Sequence, residues 1–235
     1  MTAAPPHVHI VVPNFTALTE FPSERPDIKD DCGPCASEVC IAACERRAPA
    51  TGNMIEIRSR DIQAGKFRVN GGQTLDELEW DVHAHTTIET TKTPLGSSVD
   101  AIHTALKAAA MRGNPCVLNL ALATNLPGNE PDVHYHFIAI GGIDSNQGYL
   151  CANGDKFPFG HIGTYWVRWN PGIEQAQPIG LLEYHMPAPP RPLPPPVVRP
   201  IPTPVPASDD KLQLALRTVA TQLSQAQATI SDALK

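Results

Sequence analysis

The stretch Lys29–Arg47, KDDCGPCASEVCIAACERR, puts four cysteines within thirteen residues and a Gly-Pro pair between the first two. Such a cluster fits three chemistries: a metal knot, a disulfide staple, or a helix that presents a reactive thiol. From Cys32 onward the run has helical patterning. Val39, Cys40, Ala43 and Cys44 make an apolar face, and Glu45, Arg46 and Arg47 close it. A single helix cannot surround a metal ion, because a structural site draws ligand pairs from separate elements. No metal and no cofactor are therefore expected. Six cysteines in 235 residues are too few for a disulfide framework. Cys40, Cys44, Cys116 and Cys151 read as buried thiols. Cys32 differs, because it stands where the helix begins, after Asp31 and before Gly33 and Pro34. A thiol there meets unpaired backbone N–H groups and the positive end of the helix dipole. Both favour the thiolate, and the N–H groups could also receive an oxyanion.

A thiolate that attacks carbonyls needs a base, and the base needs an orienting partner. His136 opens HFIAIGGID (136–144), and GYLCANGD (148–155) follows after a short turn. On two adjacent antiparallel strands, His136 would stand beside Asn153 or Asp155, either of which could orient it.

Together DCGPCAS, HFIAIGGID and GYLCANGD resemble, in order and spacing, the papain-like cysteine peptidases of the bacteriocin-processing type over roughly residues 10–170. The resemblance implies Cys32 as nucleophile, His136 as general base, and Asn153 or Asp155 as third member. It implies hydrolysis of a peptide bond through an acyl-enzyme, in leader peptides, proteins or the peptide stems of peptidoglycan. The family also carries a glutamine upstream of the cysteine as an oxyanion donor. Here Ala17 stands near that place and no glutamine precedes Gln63. Asn14, or Asp31 with the Cys32 amide, are the available substitutes. The gap sustains a second reading, a catalytically weak or inactive papain-like module that serves in structure or binding.

The fold expected is α+β, a leading helix packed on an antiparallel sheet. Thr74 and Glu77 form a capping box for a second helix, and Ser97–Met111 reads as a third, stopped by Gly113, Asn114 and Pro115. Strands are expected at 116–122, 136–143, 148–153, 164–169 and 180–185, with His7 and His9 on one more at the amino end. Three segments separate by composition: a globular domain over 1–186, a linker over 187–207 and a helix over 208–235. The linker holds 11 of the 25 prolines, which predicts a polyproline II spacer of about 60 Å at ~3.1 Å per residue. In the last segment Ser208 offers an N-cap. Leu212, Leu216, Val219, Leu223, Ala226, Ile230 and Ala233 follow a heptad seam, so self-association or a partner helix is expected.

A net charge of −6 without a basic stripe argues against nucleic acid or an anionic membrane as partner. With no signal-peptide pattern and no apolar stretch of ~18 residues, synthesis in the cytoplasm is expected, with release by lysis or attachment to a virion as routes outward.

Overall fold

The structure, a computed structural model, describes residues 6–18, 31–68, 72–124, 132–155, 158–188 and 209–233. Helix α1 (Cys32–Cys44) is buried all round from Gly33 to Cys44. The apolar face expected on one side thus extends over the whole circumference. Such burial is possible because the polar residues find partners inside. Ser37 Oγ lies 3.0 Å from Tyr184 Oη. The Glu38 carboxylate accepts from the Arg47 guanidinium, the Ala50 N–H and Asn53 Nδ2.

Helix α2 (Thr51–Gln63) follows, an element the sequence reading lacks. Helix α3 (Leu75–His85) starts at the expected capping box, with Thr74 Oγ1 accepting from Glu77 N–H and the Glu77 carboxylate accepting from Thr74 N–H. Helix α4 (Val99–Arg112) is capped by Ser98 and ends at Gly113, whose φ of 74° is the left-handed geometry that glycine adopts without a Cβ penalty.

Among the described residues seven antiparallel strands make one sheet: β1 (His9–Val11), β2 (Thr90–Thr93), β3 (Cys116–Thr124), β4 (Asp132–Asp144), β5 (Gly148–Asn153), β6 (Gly163–Val167) and β7 (Pro178–Tyr184). Their order is β2-β7-β3-β4-β5-β6, and β1 adds to β4 at Gly142–Asp144. One face, with Val117, Phe137, Ala139 and Ala152, packs on α1, α2 and α3. The other, with Leu118, Leu120, Ile138 and Cys151, packs on Ile102, Leu106 and Ala109 of α4. The expected sheet on leading helices is therefore covered on both faces. Strands that are apolar on both sides need two covers, which is also why they read as continuous hydrophobic runs.

Gly141 and Gly142 let the amino-terminal segment cross β4. A Cβ at Gly141 would lie 2.2 Å from Phe15 Cγ, and one at Gly142 would lie 2.5 Å from the Ile10 carbonyl oxygen. Val12 N–H donates to the Gly141 carbonyl (2.7 Å), and Ala17 N–H to Thr164 Oγ1 (2.8 Å). The chain is thereby laid across the sheet toward α1, where Cys35 Sγ donates to the Leu18 carbonyl.

Residues 1–188 and 189–235 form two separate units. In the second, α5 (Asp209–Ala233) is a single helix, with Leu214, Leu216, Val219 and Leu223 all more than half exposed. The proline-rich linker from 189 on and the Ser208 cap lie outside the described residues. Among the described residues no helix is long and apolar enough to cross a membrane.

Candidate active site

Cys32 is the first residue of α1 and half-buried. Asp31, the N-cap, makes no side-chain cap bond, and its carbonyl accepts from Cys35 N–H at 2.9 Å. Its buried carboxylate pairs with Arg58 Nε on α2 at 2.8 Å, and Arg58 in turn lies over the Phe67 ring. The first-turn N–H groups are therefore not consumed by a side-chain cap. The negative charge one residue before the thiol is also offset by a guanidinium. Pro34 in that turn removes only a donor with no intrahelical acceptor. A Cβ at Gly33 would stand 2.9 Å from Gln73 Oε1 and 3.6 Å from Phe137 Cδ2, so a side chain there would push the Gln73 amide aside. The turn that carries Cys32 thus rests on the residue that follows His136.

His136 and Asn153 come together. His136 is 5% exposed and Asn153 fully buried, and His136 Nε2 lies 2.9 Å from Asn153 Oδ1. The remaining bonds fix which atom donates. The Asn153 amide nitrogen donates to Tyr165 Oη (3.2 Å), and the Tyr165 hydroxyl donates to the His161 carbonyl (3.2 Å). Burial pushes the Tyr165 phenol up to about 12, so it remains a donor near neutrality. With its nitrogen committed to the tyrosine, Asn153 presents oxygen to the imidazole. His136 must therefore carry its proton on Nε2, which makes Nδ1 the basic nitrogen. Burial holds the imidazole below the ordinary histidine range, against the opposing pull of the Asn153 bond and the Asp155 charge. Of the two orienters weighed in the sequence, Asn153 supplies the side-chain contact and Asp155 a nearby charge.

Phe137 and Ala152, the neighbours of His136 and Asn153 on their strands, pack in the core cluster that contains α1. Cys32 and His136 are each one residue from the Gly33–Phe137 contact, reached from different elements.

Asn14 is exposed, in a turn with φ of 58°. Ala17 and Leu18, which follow it, pack against the same core cluster as Cys32, and the Leu18 carbonyl accepts from Cys35 Sγ in the first turn of α1. The sequence reading missed Tyr165, Arg58 and Gln73. Only Tyr165 had a signal, since pairing β5 with β6 sets it opposite Cys151, two residues from Asn153.

The fold and these contacts define an α+β domain with a thiol at a helix start and an asparagine-oriented histidine on the sheet. No protein-family model matches the chain, and no curated protein is similar to it.

Proposed function

We propose that the domain over residues 1–186 is a thiol-dependent peptidase of papain-like type. The observation that carries the reading is the hydrogen-bond relay from the His161 carbonyl through Tyr165 and Asn153 to His136, which makes Nδ1 the base. In the proposed cycle Nδ1 takes the Cys32 proton. The thiolate, favoured by the first-turn N–H groups, attacks the carbonyl carbon, and those N–H groups hold the oxyanion. The imidazolium returns its proton to the leaving amine as the C–N bond breaks, leaving a thioester. A water that gives its proton to His136 then cleaves the thioester and restores the thiol. The substrate class is a peptide, a protein or the peptide stem of peptidoglycan.

The test is turnover of peptidoglycan and of a peptide library by wild type and Cys32→Ala, together with the rate of Cys32 alkylation by iodoacetamide against pH. A thiol activated by His136 alkylates fast at mildly acidic pH and loses that rate in His136→Ala. Equal, slow labelling of all six cysteines with no turnover supports the second reading, an inactive module. That reading is favoured by Ala17 standing near the place where the family has its glutamine. We assign α5 to self-association through Leu216, Val219 and Leu223. Sedimentation of the full chain against a 1–188 truncation checks this, and a monomeric full chain overturns it.

A further inference from the structure

Beneath the turn that carries Cys32 lies a polar cluster that the proposed cycle does not use. Asp61 on α2 and Asp81 on α3 are both fully buried, and Arg60, the residue before Asp61, reaches the Asp81 carboxylate across the α2–α3 contact at 3.4 Å, so that Asp61 feels the Asp81 charge. Two ionised carboxylates cannot be stable neighbours in such a place, whereas a pair holding one proton can. Asp61 Oδ1 also finds no donor among the described residues, and a proton shared with Asp81 supplies one. Gln73 Nε2 donates to Asp61 Oδ2. The other end of the same amide, Oε1, is the atom that would stand 2.9 Å from a Cβ on Gly33. Gln73 therefore spans from the acid pair to the backbone next to the nucleophile.

We propose that Asp61, Asp81 and Gln73 form a one-proton brace that positions the Cys32–Gly33 turn. While the pair holds its proton, α2 and α3 stay closed on each other and Gln73 is pressed against Gly33. When the proton leaves, the two like charges separate the helices and release the amide. The charged and titratable groups facing the pair are Arg60 on α2 (3.4 Å from Asp81), itself paired with Glu56, then His85 on α3 (Nδ1 3.0 Å from Asp81 Oδ1), and Tyr184 on β7. Arg60 and His85 lie against Asp81, and burial acts on Asp61, so the shared proton is assigned to Asp61. Burial first, and then the charge of Asp81, push Asp61 up to about 7, while Gln73 and Arg60 pull the other way. The unfolded chain titrates Asp61 in the ordinary carboxylate range. The stability supplied by the shared proton is therefore full below that range, declines as pH rises, and is gone above about 7. These are positioning residues, and their role in activity rests on the peptidase reading.

The experiment has two arms on the full chain. Carbon-13 NMR of the side-chain carboxyls should show a titration step near neutrality that disappears in Asp61→Asn, whose amide replaces the shared proton without charge. Asp81→Asn serves if that variant does not fold. In the second arm Cys32 alkylation is measured in wild type and Gln73→Ala across the step. The ratio of the two rates should change several-fold between pH 6 and pH 8, while the carboxyl step persists in Gln73→Ala. Ordinary carboxylate titration in both residues overturns the brace, and so does a rate ratio that does not vary with pH. If no substrate is turned over but the ratio still follows the step, the brace stands and the peptidase reading falls.

Discussion

At the amino end of α1 the Cys32 thiol is half-buried beside N–H groups that have no intrahelical acceptor. Two to three turns along the same helix, Cys40 and Cys44 are sealed in the core. Burial, with the charge of Glu45 adding to it, pushes the Cys44 thiol up to about 12, and burial likewise raises Cys40. Glu38, buried, and Arg47, half-buried, close that inner end with an ion pair. At the outer end Asp31 and Arg58 form another pair, with the thiol next to it. The contrast is one of place. The dipole and the missing acceptors act only on the first turn, and desolvation suppresses the thiolate everywhere deeper.

The sharpest way to break the contrast is to exchange the thiols' fates. Cys32→Ala should lower kcat roughly 10⁴–10⁶-fold, while Cys44→Ala should leave kcat within about twofold, since a sealed thiol touches no substrate. Comparable losses in both would erase the distinction. Next in size, Arg47→Ala strands a buried Glu38 carboxylate and should cost about 3–5 kcal/mol in urea unfolding. The alkylation rate of Cys32 in the folded fraction should hardly move. Asn153→Ala frees the imidazole to adopt either tautomer and should lower kcat about 10²-fold, with Tyr165→Phe losing about tenfold or less. Because burial lowers His136, the acid limb of kcat/KM should fall below the ordinary histidine range. In Asn153→Ala, which removes a bond favouring the protonated ring, that limb should move lower still. The smallest effect belongs to Cys44→Ala on stability, about 1–2 kcal/mol for the cavity it leaves.

Motif order and strand patterning made most of this domain legible. GYLCAN matched β5 residue for residue, and the capping box at Thr74 located α3. Helix α2 was not legible, because its inward residues are Met54, Ile57 and Asp61, a stripe too narrow and too polar to register as amphipathic. Strand β2 is four residues of Thr-Thr-Lys-Thr on the sheet edge, with no hydrophobic signal to read. At the site, Cys32, His136 and Asn153 followed from local motifs. Gln73 and Arg58 did not, since each acts through a contact with a residue distant in sequence and carries no local pattern.

The wedge of Phe15 into the notch at Gly141 bears on how the protein is made. Residues 8–18 rest on β4 and on Thr164, which the ribosome delivers about 130 to 150 residues later, and contacts of such separation form late. During vectorial synthesis the wall beside Cys32 cannot close until β6 has emerged.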